Sequence, residues 1–260
     1  MPAPLASSRR IARRASSYGT RGRLGLITPP TNTVNEAEWA RMIPMGVTSH
    51  SHRMRLHADT TSPAGLQSLH DDLDAAIAML AAADVDVVAY ACTAGSMITP
   101  AAALPNDLTA RNQIPVVTTA AAIIDALTAL GATRISVATP YHDALNDHEA
   151  HFLADHGIEA LSISGLGLGA NGPAEYSLIA QTPLDQVMAH ARRAFVHGSD
   201  ALLLSCTDFP TLPIIPALEA ELGVPVVSSN TATLFAALNA AGLTGEKITG
   251  AGRLLSGAFT

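Results

Sequence analysis

Cysteine is nearly absent from this 260-residue chain, which has two. That is too few for a disulfide framework. Both sit at the ends of apolar runs, where reduced thiols are expected, and a cytoplasmic setting fits them. Long hydrophobic runs are missing as well: no stretch approaches the roughly 20 residues that cross a bilayer. Six arginines fall within the first 23 residues, ahead of any apolar run long enough for a signal peptide. A soluble protein with no membrane partner is expected. Positive charge is scarce beyond that opening. Setting the six arginines aside takes the formal net charge from −7 to −13 for residues 24 to 260. So acidic a body repels polyanions, and no nucleic-acid partner is expected. Residues 1–22, with "SSRRIARRASSYGTRGR", read as a disordered Arg-rich tail. The remaining composition, 48% hydrophobic and 14% charged, is ample for a buried core.

The chain matches itself at an offset near 110 residues, in three places and in the same order. "RLGLITPPTN" from Arg23 pairs with "RISVATPYHD" from Arg134. "VDVVAYACTAGS" from Val85 pairs with "SDALLLSCTDFP" from Ser199, so that Cys92 and Cys206 coincide. "IPVVTTAAAIIDALTALGA" from Ile114 pairs with "VPVVSSNTATLFAALNAAGL" from Val224. A unit this long is a domain-sized half rather than a solenoid repeat. Val, Ile and Leu runs alternate with stretches of helical period, such as residues 65–83. The expectation is an α/β fold: two similar Rossmann-like parallel-sheet halves related by a pseudo-twofold, with the active site in the cleft between them. The halves are placed at 23–133 and 134–260, the first able to take its closing helix from the end of the chain. Strands are expected near 24–28, 86–91, 115–117, 135–139, 201–205 and 225–227, with two more near 48–55 and 159–163.

Ligands of such sheets bind beyond the carboxyl ends of the strands. Both cysteines fall at that edge, as do Asn32, Tyr141 and Asn230. A strand-end thiol whose neighbours enter a helix is placed where thiolate is favoured. Two such groups facing one pocket make an acid and a base. They suit racemisation beside a carboxylate, or addition to a double bond followed by rotation and elimination. Thr93, Ser96 and Thr207, with the adjacent amides, are short donors able to hold a carboxylate as its charge grows. One cysteine alone is more simply a buried core residue; two at equivalent repeat positions favour chemistry.

The set "RLGLITPPTNTVNEAE", "TSHSHRMRLHADTTSPAGL", "VVAYACTAG", "ISVATPYHDALND", "LLLSCTDFPTLPIIPALEAELGVPVVSSN" and "GAGRLL" resembles the aspartate/glutamate racemase superfamily. Within it, the chain looks most like maleate cis-trans isomerases and their arylmalonate decarboxylase relatives. The resemblance covers nearly everything after residue 22 and implies two α/β halves, no metal, no organic cofactor, and a homo-oligomer, dimer or tetramer. It matches Cys92 to the nucleophile that adds to the maleate double bond and Cys206 to the thiol that handles the proton. Asn32, Tyr141 and, in a loosely aligned loop, Asn171 match residues that hold the substrate carboxylates. In the decarboxylases only the second cysteine remains, so Cys92 speaks against plain decarboxylation. The chain also departs from the isomerase pattern. "TAGS" replaces bulky apolar residues after Cys92, and "TDFP" replaces a less polar stretch after Cys206, as in the racemases and the ectoine-utilisation branch. Small, hydroxylated neighbours suggest a roomier, more polar pocket than maleate needs. Maleate isomerisation is the favoured activity. The rivals are racemisation of an amino acid or related carboxylate of Asp, Glu or hydantoin type, an ectoine-utilisation-type or decarboxylase activity, and a non-catalytic carboxylate-binding protein.

Three further signals are set aside. "GLGLGANG" contains a G-x-G-x-x-G from Gly167, but the acidic residue expected about 20 positions on is missing. A flexible loop over the pocket is the better reading of those glycines. His148 and His151 share a helical face without ligand spacing for a metal. Arg53 and Arg55 alternate on a strand and read equally as anion contacts or a salt-bridged edge.

Overall fold

The computed structural model describes residues 16–57 and 62–257. Most of the Arg-rich opening therefore lies outside the described residues. From residue 16 on, the Arg21 N–H donates to the Gly46 carbonyl at 2.9 Å, and the first strand starts at Gly22.

In chain order the first half contains β1 (Gly22–Thr28), α1 (Asn35–Met42), β2 (Val47–Arg53), α2 (Pro63–Ala81), β3 (Val87–Tyr90), α3 (Thr93–Ser96), α4 (Ala103–Asn112), β4 (Val116–Thr118) and α5 (Thr119–Ala129). The second contains β5 (Arg134–Tyr141), α6 (Asp143–Asp155), β6 (Glu159–Leu168), α7 (Tyr176–Ile179), α8 (Leu184–Ala194), β7 (Ala201–Leu204), α9 (Ile215–Leu222), β8 (Val226–Ser228), α10 (Ser229–Ala240) and α11 (Arg253–Ser256). Short 3₁₀ turns precede α7 and α9. All eight expected strands are present. They form two four-stranded parallel sheets, ordered β2-β1-β3-β4 and β6-β5-β7-β8, the same order twice. The likeness of the two halves, first seen as a sequence repeat, is thus a likeness of topology.

Strand β3 shows why the inner strands are continuously apolar. Val87, Ala89 and Ala91 join the core under α10, whereas Val88, Tyr90 and Cys92 face α2. Both faces are covered, as βαβ crossovers require. Helix α2 starts on Ser62, whose side chain accepts from Gly65 N at 3.1 Å, with Pro63 in the first turn. It buries Leu69, Leu73, Ala76, Ile77 and Leu80, one stripe at helical spacing. Each such leucine or isoleucine contributes roughly 1.5–3 kcal/mol by leaving water.

The equivalent helices α5 and α10 cross between the halves. Leu234, Ala237 and Leu238 of α10 pack with β1 and β3, while Ile123, Ala126 and Leu127 of α5 pack with β5 and β7. This exchange joins the two sheets through a shared core and brings the carboxyl ends of β3 and β7 to one place. No helix among the described residues is long and apolar enough to cross a membrane.

Candidate active site

Both cysteines lie just beyond the ends of equivalent strands, Cys92 after β3 and Cys206 after β7. Side chains of a strand alternate faces, so Tyr90 and Cys92 point the same way, and the Tyr90 phenol donates a hydrogen bond to the Cys92 sulfur. Gly95 makes room for this pair: a Cβ there would stand 2.5 Å from the phenol oxygen and 3.0 Å from the sulfur. On the other side Leu204 replaces the tyrosine, and Tyr141, from the end of β5, donates to the Cys206 sulfur instead. The Asp208 N–H also points at that sulfur, at 3.4 Å. Cys206 has φ of 149°, a conformation that L-residues rarely adopt and that costs about 1–3 kcal/mol.

Polar groups tie the two cysteine segments to each other. The Ser229 hydroxyl accepts from Cys206 N at 3.0 Å and bonds Thr93 Oγ1 at 2.9 Å. Thr207 Oγ1 donates to the Ala91 carbonyl at 3.1 Å and accepts from Asn32 Nδ2 at 3.0 Å. Asn32 Oδ1 in turn accepts from the N–H groups of Val34 and Asn35, and its carbonyl takes a bond from Arg53 at 2.7 Å. Asn230 donates to the Thr207 carbonyl at 3.1 Å and to Glu38 at 2.7 Å; Glu38 also receives the Thr211 and Leu212 N–H groups. Cys92, Cys206, Asn32, Thr93, Tyr141 and Thr207 therefore sit in one buried constellation. Asn171 sits elsewhere: it is exposed in the loop after β6 and donates to Glu175 at 2.6 Å.

The electrostatics differ from the thiolate-favouring environment expected of strand ends. The thiols are 8% and 7% exposed, and burial dominates. Burial pushes Cys92 up, against the stabilising bonds from Gly95 N–H and Tyr90. It pushes Cys206 up to about 12, with the negative charges of Asp208 and Cys92 adding to the effect. The coupling to Cys92 places both sulfurs in one electrostatic environment, and Tyr141 senses both. Only Cys92 is followed by a helical turn; Cys206 opens into a non-helical turn. Ser96 is unavailable as an anion donor because its hydroxyl serves the Cys92 carbonyl at 2.6 Å.

Several residues here escaped sequence reading. Tyr90 stands in "VVAYACTAG", two positions before the cysteine. Ser229 was visible as the Ser-Ser of "VPVVSSN", equivalent to the Thr-Thr of "VPVVTTA". Asp208 is buried, accepts from Thr33 N at 2.9 Å through Oδ1, and leaves Oδ2 without a partner. Burial raises it to about 6. Of the alternating arginines, Arg53 pairs with Glu36 and Arg55 with Asp72, so both act as braces. The glycine-rich run leads into a 3₁₀ turn and a one-turn helix, which lacks the long helix a dinucleotide site uses. No group of three or more His, Cys, Asp or Glu side chains among the described residues is arranged to hold a metal.

Residues 24–255 match the arylmalonate decarboxylase family model. The chain belongs to the arylmalonate decarboxylase family. The maleate isomerase of Nocardia farcinica is 30% identical over 246 residues, covering 90% of this chain and 95% of its own. The crystal structure of a maleate isomerase from Pseudomonas putida S16 with maleate superimposes with a TM-score of 0.79 at 29% identity, over 91% of this chain and 98% of that one. A mutant of the Nocardia farcinica maleate cis-trans isomerase with a covalently bound succinylcysteine intermediate does so at 0.78 and 28%, with the same coverage. With such relatives matched along nine-tenths of its length, this family member is an isomerase.

Proposed function

We propose that the protein is a cofactor-independent two-thiol isomerase that converts a small cis dicarboxylate, maleate first among candidates, into its trans form. The observation that carries this reading is the pair of thiols, each with its own tyrosine donor, inside one hydrogen-bonded constellation. A carbon–carbon double bond flanked by carboxylates accepts a thiolate readily, because the displaced π electrons move onto the neighbouring carboxylate as an enediolate.

In this reading Cys92 gives up its proton to solvent once, before the cycle, and bonds as thiolate to one alkene carbon. The electron pair passes to the adjacent carboxylate, where the amide and hydroxyl donors around Asn32, Thr93 and Thr207 oppose the developing charge. The Cys206 thiol gives its proton to the other carbon, yielding a succinyl thioether. Rotation about the new single bond carries one carboxylate to the far side. Cys206 then takes the proton back, the carbon–sulfur bond breaks, and Cys92 is released as thiolate with the trans product. The covalently bound succinylcysteine in the Nocardia farcinica relative supports the thioether stage of this sequence.

A second reading draws on Asp208, whose Oδ2 has no partner and whose charge acts on Cys206. A carboxylate there is suited to a substrate ammonium, which favours racemisation of an amino acid as the rival activity. Proton NMR in deuterated buffer separates the two. Fumarate formed from maleate, and lost in both Cys92→Ala and Cys206→Ala, supports the isomerase. Deuterium entering the α-position of D-aspartate, D-glutamate or a hydantoin without fumarate overturns it in favour of the racemase. Silence on every substrate points to a binding protein.

A further inference from the structure

Ser229 opens α10, fully buried, and its hydroxyl reaches both cysteine segments: it accepts from Cys206 N at 3.0 Å and lies 2.9 Å from Thr93 Oγ1. The helix has no need of that hydroxyl. Ser228 caps α10, accepting from Thr231 N at 3.2 Å while the Thr231 hydroxyl receives the Ser228 N–H at 2.9 Å. The repeat does not demand the bridge either. At the equivalent position Thr119 serves the Tyr90 carbonyl, at 3.4 Å, and Thr233, at 3.0 Å.

An amide can only donate, so Ser229 Oγ is the acceptor of the first bond, and the direction of the second follows from what is left. Ser229 is 0% exposed, and among the described residues Thr93 Oγ1 is the one acceptor its hydrogen reaches. Buried hydroxyl hydrogens go to acceptors, so Ser229 donates to Thr93. The hydrogen of Thr93 is then left without an acceptor among the described residues. Thr207, its equivalent in the repeat, stands the other way: its hydrogen goes to the Ala91 carbonyl at 3.1 Å, and its oxygen receives Asn32 Nδ2 at 3.0 Å. The threonines that follow the two cysteines are alike in sequence and unlike in what they offer, since one keeps a free donor and the other has none. Donors therefore run in a row, from Cys206 N–H to the Ser229 hydroxyl to the Thr93 hydroxyl, and each bond in such a row strengthens the next. The row ends on the residue beside Cys92.

We propose that Ser229 is a positioning residue for the two-thiol site: it takes the Cys206 amide hydrogen, which holds the positive-φ backbone under that thiol, and it sets the Thr93 hydroxyl as the donor for one substrate carboxylate. Both tasks fall to a single oxygen. A donor fixed in advance costs no reorganisation when charge grows on the carboxylate next to the carbon that Cys92 attacks. The proposal rests on the two-thiol reading for its ligand, a small carboxylate, and not for the geometry of Ser229.

Full-length wild type, Ser229→Ala, Ser229→Thr, Thr93→Val and the variant combining Ser229→Ala with Thr93→Val are compared for kcat/KM on maleate by proton NMR, with thermal melts reporting folding. Ser229→Ala and Thr93→Val are each expected to lose about tenfold to a hundredfold. The combined variant should be no more than about threefold slower than the slower single one, because Ser229 acts through Thr93. Ser229→Thr keeps the hydroxyl and should stay within about threefold of wild type. Losses that multiply in the combined variant, as a merely structural serine would give, overturn the proposal, and so does a wild-type rate in Ser229→Ala. Should Ser229→Ala not fold, Ser229→Cys keeps the shape with a weak donor and takes its place. Hydrogen exchange of the Cys206 amide reads the other arm without substrate: about tenfold faster exchange is expected in Ser229→Ala but not in Thr93→Val, and exchange equal to wild type in Ser229→Ala refutes the proposal. A protein that makes no fumarate yet shows the faster exchange, with non-multiplying losses of maleate affinity by calorimetry, loses the isomerase reading and keeps this one. Fumarate formed by Ser229→Ala at the wild-type rate does the reverse.

Discussion

Asn32 Nδ2 donates to Thr207 Oγ1 across 3.0 Å, and Thr207 in turn donates to the carbonyl of Ala91, the residue before Cys92. One hydroxyl thus sets the spacing between the segment that opens α1 and the two cysteine segments. Thr207→Val removes both bonds at nearly constant volume. Turnover is expected to fall by about tenfold to a hundredfold, the usual cost of misplacing reacting groups by a fraction of an ångström. Asn32→Ala should do the same and also lose about 1–2 kcal/mol of stability, because Oδ1 receives two N–H groups at the start of α1. Steady-state kinetics with chemical denaturation checks both, and wild-type kcat/KM in Thr207→Val contradicts the bridging role.

The positive φ of Cys206 yields a prediction independent of chemistry. Cys206→Ala and Cys206→Gly both lack the thiol and both should be inactive. Glycine adopts this backbone conformation freely, whereas alanine retains the strain. Cys206→Gly is therefore expected to be the more stable of the two by about 1 kcal/mol, despite the greater freedom of glycine in the unfolded chain. The reverse order in thermal melts would show that the backbone there is relaxed.

Gly95 leaves no space for a methyl group between Tyr90 and Cys92. Gly95→Ala should displace the phenol from the sulfur and cut activity at least tenfold, while Tyr90→Phe, which removes only the hydroxyl, should slow the step that depends on Cys92. Activity in Gly95→Ala equal to wild type would mean that the tyrosine bond is dispensable.

Buried thiols should be slow to alkylate. Raising Cys206 from 9.0 to about 12 leaves roughly a thousandth of the ordinary thiolate fraction at pH 7. Iodoacetamide at pH 7 is expected to modify Cys206 about a thousandfold more slowly than an exposed cysteine. Rapid labelling at neutral pH would show that the thiol is activated without substrate.

Glu149 also links stability to pH. Its folded-state pKa, about 7, lies above the ordinary 4.5. The folded protein therefore binds a proton that the unfolded chain releases. The resulting stability is complete below about pH 4.5 and is lost as pH rises through about 7. The shift corresponds to about 3 kcal/mol at most. Glu149→Gln keeps a neutral side chain throughout, so its melting temperature should exceed that of wild type increasingly from pH 5 to pH 8. A constant difference across that range would place Glu149 in contact with a partner that stabilises its charge.

The strands were legible because each inner one is apolar on both faces, as Val87 to Cys92 shows, and a run of that kind can be read locally. The equivalence of Cys92 and Cys206 was legible as well, since a repeat preserves order along the chain. Glu149 was not. Among "NDHEAH" it looks like one more polar residue, and only the packing of α6 separates it from His148 and His151 beside it. Ser229 and Asp208 were in view without a role, because what each touches lies far along the chain: Thr93 is 136 residues from Ser229, and Thr33 is 175 from Asp208.

By itself the sequence determined the architecture, the repeat and the pair of thiols, all properties written in local pattern and spacing. The tertiary structure decided the rest: which tyrosine serves which sulfur, how α5 and α10 cross to join the sheets, and why two strand-end thiols are held protonated. Those depend on desolvation and on contacts between distant segments, and both exist only once the halves have closed on each other.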